Sequence, residues 1–153
     1  MERYLQSVLG SSSFEGVSAK RSAAMRAVRS KGNKSTELRL RMALIRAGIS
    51  GWTLHEKSLP GKPDFFFTKL RLAIFVDGCF WHGCPKCGHT PATRSAFWAA
   101  KFERNRARDL RNRLMLRKRR VSVIRLWEHQ LKSSKNLSRA VERIIIRCPA
   151  TGN

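Results

Sequence analysis

Short apolar runs separated by turn-forming residues predict the strands of this chain. The clearest are LAIFV at residues 72–76 and VSVIRL at residues 121–126, and each is typical of a buried strand. Two further strands are expected at residues 53–59 and 64–68, with the strong turn PGKP between them. The first three strands therefore predict a meander, and the fourth lies much later in the chain.

Helical spacing of apolar residues predicts three helices, at residues 36–47, 95–119 and 137–147. The order helix, three strands, helix, strand, helix predicts a single α/β domain in which helices flank a mixed sheet. We expect this domain to span residues 18–147. The remainder is expected to form a flexible N-terminal tail at residues 1–17 and a C-terminal tail at residues 148–153.

Positive charge dominates the composition. The chain has 32 Lys and Arg against 10 Asp and Glu, a formal net charge of +22. Self-repulsion of this size excludes an ordinary metabolic enzyme with a neutral surface and indicates a polyanionic partner, above all nucleic acid. Basic residues are densest at residues 101–120. We expect that helix to pack through Phe102, Leu110 and Leu114, and its other faces to bind DNA phosphates.

Two aspartates flank neighbouring strands of the predicted meander. Asp64 opens one strand and Asp77 closes the next, so in an antiparallel pair both lie at the same edge. Two carboxylates in a strongly positive field would bind a hard divalent cation such as Mg²⁺. The alternative is that both are solubilising caps at the ends of strands.

The helix at residues 36–47 carries a carboxylate, Glu37, on its apolar side. This position favours a function, although pairing with Arg41 one turn later would also explain it. The acidic residues on the other helices are expected to pair with local cations. These are Glu103, Asp109 and Glu142.

Three of the four cysteines, Cys79, Cys84 and Cys87, fall within nine residues. With no secretory signal and no apolar run long enough to span a membrane, we expect a reducing cytosolic compartment. There the spacing favours zinc over a disulfide, with three reduced structural cysteines as the alternative. Candidates for the fourth ligand are His82, His89, His129 and Cys148.

Longer motifs resemble a known family. Pro63-Asp64, with Asp77 near the end of the next strand and Glu37 on the preceding helix, resembles the PD-(D/E)XK nucleases and their restriction-endonuclease-like fold. LPGKPDF at residues 59–65 and GCFWH at residues 78–82 look like the very-short-patch repair (Vsr) endonucleases within that superfamily. Further similar motifs are RSAAMR at residues 21–26, Phe97-Trp98 and Trp127-Glu128.

The resemblance implies metal-dependent nicking of one DNA strand 5′ of the thymine in a T·G mismatch. Asp64 matches the catalytic aspartate that binds Mg²⁺, and His82 matches the histidine that moves protons. Glu37 matches a carboxylate near the water shell of the ion, and Val76 would add its backbone carbonyl. Asp77 stands where some members carry histidine, so we expect it to be a direct metal ligand instead.

The resemblance also implies a structural zinc and a set of DNA contacts. The zinc would be bound by Cys79, Cys84, Cys87 and His129. Aromatic side chains would intercalate beside the mismatch from one groove, and Met25 would approach from the other. The intercalating aromatics are Phe80, Trp81 and Trp98, and the phosphate-binding residues are Arg26, Lys101, Arg104 and Arg108.

Two other functions fit the same residues. One is a Vsr-like nuclease in a restriction or defence role without mismatch specificity. The other is a non-catalytic, zinc-containing DNA-binding protein. For the preferred function we expect a monomer in the bacterial cytoplasm, associated with the nucleoid, that acts on mismatched double-stranded DNA alongside mismatch-repair proteins and a repair polymerase, with no membrane partner.

Overall fold

A four-stranded mixed sheet forms the centre of the protein, of which the computed structural model describes residues 34–148. The strands are β1 (Trp52–Leu54), β2 (Phe65–Phe67), β3 (Leu72–Asp77) and β4 (Ser122–Trp127). They lie in the order β1-β2-β3-β4, with the first two pairs antiparallel and β3 parallel to β4. This confirms the predicted meander and the mixed sheet.

Three α-helices flank the sheet: α1 (Lys34–Arg46), α2 (Ser95–Lys118) and α3 (Ser134–Ile145). A 3₁₀ turn (Glu128–Leu131) joins β4 to α3. Helix α3 begins three residues earlier than predicted because Ser133 caps it, its hydroxyl accepting a hydrogen bond from Asn136 N–H at 3.2 Å. Within residues 34–148 no helix is both long and apolar enough to cross a bilayer.

Each face of the sheet carries its own core. Leu40 and Leu44 of α1 and Ile144 of α3 pack on one face, against inward residues of β2, β3 and β4. Leu116 of α2 packs on the other face with Phe75. Strand β3 is therefore covered on both sides, which explains its unbroken apolar sequence.

Helix α2 packs differently from the prediction. Phe102 is buried as expected, but Leu110 and Leu114 are 47% and 49% exposed. The buried positions are instead Trp98 and Phe102 near its start and Leu116 near its end. The prediction for the two leucines was wrong because the middle of α2 borders an open cavity, which Leu110 lines.

The carboxyl ends of β3 and β4 meet at one edge of the sheet, where Asp77 is paired with Trp127. Strand β2 runs antiparallel to β3, so its first residues reach the same edge. Asp64 immediately precedes β2 and lies there too. The fold thus brings Asp64 and Asp77 to a common edge, as the sequence predicts.

Candidate active site and metal centre

Asp64 is fixed to the end of β3 by a short hydrogen bond. Its Oδ2 accepts from Val76 N–H at 2.6 Å. The buried ring of Pro63 precedes it, so the backbone that enters β2 is rigid at this point. Val76 directly precedes Asp77, so the backbone at the end of β3 connects Asp64 to the strand residue that pairs with Arg125, although the side chains of Val76 and Asp77 point to opposite faces of the sheet.

Glu37, His55 and Asp64 form a group whose potential ligand atoms all lie within 4.8 Å of one another. His55 Nε2 is 3.4 Å from Glu37 Oε2, and His55 Nδ1 is 3.8 Å from Asp64 Oδ1. The other oxygen of Glu37 is buried and has no hydrogen-bond partner among the described residues. A buried carboxylate oxygen without a donor is costly unless a cation satisfies it.

The electrostatics of Asp64 also favour a cation next to its carboxylate. Burial raises its pKa to about 7, and the neighbouring Glu37 adds to the rise, against the hydrogen bond from Val76. Two carboxylates this close repel each other when both are ionised. A divalent cation would remove that repulsion and bind through hard oxygen ligands, so the residues present fit such an ion.

Asp77 forms an ion pair with Arg125 instead of joining the group around Asp64. Its Oδ2 accepts a hydrogen bond from Arg125 Nε at 2.6 Å and its Oδ1 accepts one from Arg125 Nη2 at 2.8 Å. The side chain is 7% exposed, and it is not part of the group around Asp64. The expected sharing of one cation by Asp64 and Asp77 is thus absent from the described residues. The physical reason is that Arg125 already neutralises the Asp77 carboxylate.

His82 lies beside Asp77, on the side of the sheet that faces α2. Its Nδ1 is 2.6 Å from Asp109 Oδ2, and its Nε2 is 3.9 Å from Asp77 Oδ1. Arg125 Nη2 reaches Asp109 as well, at 3.3 Å. Burial by itself would raise the pKa of Asp109, but the hydrogen bond with His82 and the charge of Arg125 outweigh it and lower that pKa.

An open cavity of about 470 Å³ adjoins this network. Its wall includes His82, Asp109 and Arg125, together with Arg106 and Arg113 of α2. Asp77 also lines the cavity and is paired with Arg125, so Arg106 and Arg113 are the guanidinium groups that favour an anion there. The size of the cavity accommodates a phosphodiester group.

Cys79, Cys84, Cys87 and His129 converge on one point. The three sulfurs lie 3.3, 3.5 and 3.4 Å from His129 Nδ1. A sulfur and a nitrogen bound to one tetrahedral zinc are roughly 3.6 Å apart, given bonds of about 2.3 and 2.0 Å. The geometry is therefore that of a Cys₃His zinc site, and it selects His129 from the four candidates.

Two further details describe the surroundings of this cluster. Burial raises the pKa of the Cys79 thiol to about 12, and the neighbouring Cys87 thiol adds to the rise, so an uncompensated thiolate is disfavoured there. The chain also folds tightly around the cluster. A Cβ on Gly88 would lie 2.5 Å from the Cys84 carbonyl oxygen, which only glycine avoids.

Aromatic rings cluster between the loop that carries Cys79, Cys84 and Cys87 and the start of α2. Phe80 is central, with ring centroids 5.2 Å from Trp81, 5.1 Å from Trp98 and 5.7 Å from Phe102. Phe80 and Trp81 are half-buried, whereas Trp98 is only 7% exposed. The Lys101 ammonium lies 5.1 Å from the ring centroid of Trp81.

The comparisons with known proteins agree with this geometry. Residues 16–89 match the family model of the DNA mismatch endonuclease Vsr. The type II nicking enzyme V.XorIIP of Xanthomonas oryzae pv. oryzae is 39% identical over 123 residues, covering 79% of this chain and 88% of that protein. The DNA mismatch endonuclease Vsr of Escherichia coli K12 is 36% identical over 122 residues, covering 78% of this chain and 76% of that protein. This chain belongs to the Vsr family. As a Vsr protein it is a DNA endonuclease.

Some of the predicted DNA-binding residues of this Vsr protein are exposed, and others are at least partly buried. Arg104 and Arg108 are exposed on α2, as expected for phosphate contacts. Lys101 is half-buried over the aromatic cluster, and Trp98 is inside that cluster. Neither projects outward in this conformation. Met25 and Arg26 lie outside the described residues.

Three residues of the Vsr site were missed by sequence reasoning. His55 follows β1 and reaches Asp64 only because of the local turn. Asp109 was assigned to local charge pairing, yet it holds His82. Arg125 lies between the buried residues Ile124 and Leu126 of β4, and this cation within a mostly apolar strand sequence was the available signal.

Proposed function

We propose that this Vsr protein nicks one strand of duplex DNA 5′ of the thymine in a T·G mismatch, in a reaction that requires a divalent cation such as Mg²⁺. The observation that carries the proposal is the contact between Asp64 and Val76 N–H at 2.6 Å. It fixes Asp64, and with it the group that contains Glu37 and His55, at the end of β3, whose last residue Asp77 lies 3.9 Å from His82 Nε2. In this proposal the cation and the proton-transferring histidine act on one phosphodiester at this end of the sheet.

Asp64 and Glu37 would hold the cation, and the backbone carbonyl of Val76 is a further expected ligand. The fit is supported by the buried, unpartnered oxygen of Glu37. When bound, such an ion neutralises charge on the scissile phosphate and lowers the pKa of a water molecule. Asp77 has a different role in this proposal: it holds Arg125 in the cavity wall.

His82 would carry the proton. With Nδ1–H donated to Asp109, the neutral tautomer leaves its lone pair on Nε2, on the side of Asp77 and the cavity. Hydrolysis needs one proton removed from water and one delivered to the leaving 3′ oxygen. Nε2 is positioned to exchange a proton with a phosphate group in the cavity, where the guanidinium groups hold the anion.

Mismatch recognition would use the half-buried aromatics. Phe80 and Trp81 would enter the stack beside the mismatch, with Met25 approaching from the other groove. Opening a base step costs a few kcal/mol, and a wobble pair opens more easily than a matched pair. Trp98, which the sequence predicts as a third wedge, is proposed instead to support Phe80 from behind, because its ring is buried.

The remaining proposals concern the scaffold and the cell. Zinc bound by Cys79, Cys84, Cys87 and His129 would fix the loop that carries Phe80, Trp81 and His82. Arg26, Arg104 and Arg108 would bind flanking phosphates. The enzyme would act as a monomer in the bacterial cytoplasm, at the nucleoid, alongside mismatch-repair proteins and a repair polymerase.

A restriction-linked role is the second candidate. It is favoured by the relatives named type II nicking enzymes, including V.NaeI of Lentzea aerocolonigenes, 38% identical over 118 residues that cover 74% of this chain and 70% of that protein. The two roles differ in the lesion required and not in the chemistry of the site.

A nicking assay tests both proposals. Wild type, Asp64→Ala and the control Glu103→Ala, whose side chain is 75% exposed on α2, are given T·G and matched duplexes of one sequence. We expect cation-dependent nicking of the T·G strand by wild type and control, and none by Asp64→Ala. Equal cutting of both duplexes would favour the second candidate. Full activity of Asp64→Ala would overturn the assigned site.

A further inference from the structure

His55 has an unusual backbone conformation for a residue with a side chain. Its φ is +51°, in the left-handed region that β-carbons disfavour. The conformation is held because His55 N–H donates to the Asp64 carbonyl at 3.2 Å. Strain of this kind persists where the surroundings fix it. Here it turns the ring toward two carboxylates.

The spacing of the ring from those carboxylates fits an ion between them. One ring nitrogen, one oxygen of Glu37 and one oxygen of Asp64 all lie within 4.8 Å of one another. The distance from Nε2 to Glu37 Oε2 is 3.4 Å, beyond the 2.7–3.2 Å or so of a protein hydrogen bond. Two adjacent ligands of one octahedral cation are about 3 Å apart and two opposite ligands about 4.2 Å, given bonds of about 2.1 Å. The side chain is 56% exposed, so the group is open to solvent and to substrate.

We infer that His55 is a third protein ligand of the catalytic cation, which makes the site one of two carboxylates and an imidazole. The inference rests on the proposed function, because it concerns the same ion. Oxygen ligands suit Mg²⁺ and Mn²⁺ alike, whereas imidazole nitrogen suits first-row transition ions. His55 therefore gives the site a preference for Mn²⁺ over Mg²⁺ that Asp64 and Glu37 alone would not give.

The test uses the full chain with its cysteine site loaded with zinc, and Mn²⁺ as the probe. Pulsed electron paramagnetic resonance should detect a ¹⁴N coupling on bound Mn²⁺, replaced by a ¹⁵N coupling when histidine is ¹⁵N-labelled. His55→Asn tolerates the left-handed backbone and removes the imidazole. It should lose the coupling and bind Mn²⁺ about 10–100-fold more weakly, with Mg²⁺ affinity changed less than about threefold.

His89→Asn is the matched control, since His89 is exposed and outside both metal-binding groups. It should keep the coupling and the Mn²⁺ affinity of wild type. A wild-type spectrum without nitrogen coupling, or a coupling that persists in His55→Asn, would overturn the role of His55. Asp64→Ala separates the two proposals: if it binds Mn²⁺ as tightly as wild type, the proposed catalytic site itself fails.

Discussion

Asp77 and Arg125 form a bidentate ion pair across the parallel strands β3 and β4, with contacts of 2.6 and 2.8 Å. The carboxylate is 7% exposed and the guanidinium 25%. A planar fork on a carboxylate is the strongest arrangement that these two groups offer. Its consequence is that Arg125 has a fixed place in the cavity wall, within 3.3 Å of Asp109.

Removing the Asp77 carboxylate should therefore destabilise the protein without removing the catalytic cation. Asp77→Asn removes the bidentate partner of a largely buried guanidinium and leaves it only the contact with Asp109, so we expect a loss of about 2–3 kcal/mol in the free energy of unfolding. Urea unfolding measures this loss, and Mn²⁺ titration should show unchanged affinity. When Arg125 is already replaced in an Arg125→Met variant, adding Asp77→Asn should lower the free energy of unfolding much less. A large fall in Mn²⁺ affinity would instead make Asp77 a metal ligand.

Asp109 should act as a positioning residue for His82. Asp109→Asn keeps the shape but replaces one acceptor oxygen with an NH2 donor, so the side chain no longer selects one tautomer of His82, and we expect kcat to fall ~10²–10⁴-fold. Affinity for duplex DNA should change little, as measured by anisotropy in the absence of divalent cation. Glu103→Gln, on the same helix, is the control. Unchanged kcat in Asp109→Asn would remove Asp109 from the mechanism.

The raised pKa of Asp64 predicts a pH dependence of stability in the cation-free protein. Its pKa is about 7 in the folded chain against an ordinary 3.8, so the folded state binds the proton more tightly. Stability is therefore lost as pH rises from about 4 to about 7, and the loss is constant above that. Asp64→Asn should melt at a higher temperature than wild type at pH 8 and show little difference near pH 4. A constant difference across this range would contradict the assignment.

The cysteine cluster should bind one zinc ion per chain. Cys84→Ser and His129→Ala should lower zinc content and melting temperature together, as should prolonged treatment with a strong chelator. Gly88→Ala should have the same effect, because its methyl group meets the Cys84 backbone. Cys148→Ser is the control, since that thiol lies outside the group. Fresh, reduced protein without zinc would disprove the site.

Substitutions at Trp81 and Trp98 should distinguish a role in mismatch recognition from a role in packing. Trp81→Ala should reduce the preference for T·G over matched duplex more than it reduces overall affinity, because Trp81 is half-buried and near the surface. Trp98→Ala should cost about 3–5 kcal/mol of folding stability, because that ring is buried. If the folded Trp81→Ala variant discriminates the two duplexes as well as wild type, the proposal that Trp81 enters the base stack beside the mismatch is wrong.

The sequence predicted the parts of this protein that depend on periodicity and spacing. β3 and β4 were found because each is apolar over its length, and the cysteine spacing indicated the metal group. The ion pair of Asp77 with Arg125 was missed, although the alternation of side chains along β3 predicts which face of the sheet Asp77 occupies. Ala73 and Phe75 face α2, so Asp77 does too. His55 and Asp109 were beyond such reasoning, since a left-handed turn positions His55, and Asp109 on α2 meets His82 only through the path of the loop that carries His82.

The short loop from Cys79 to Cys84 carries more than its length suggests. Its two cysteines belong to the cluster with Cys87 and His129, its aromatics to the proposed wedge, and His82 to the network around Arg125. A single inserted residue would change the spacing of all three at once. The length of this loop is therefore constrained independently of its sequence: one inserted or deleted residue should disturb the cysteine cluster, the aromatics and His82 together, whereas a single substitution should disturb one of them.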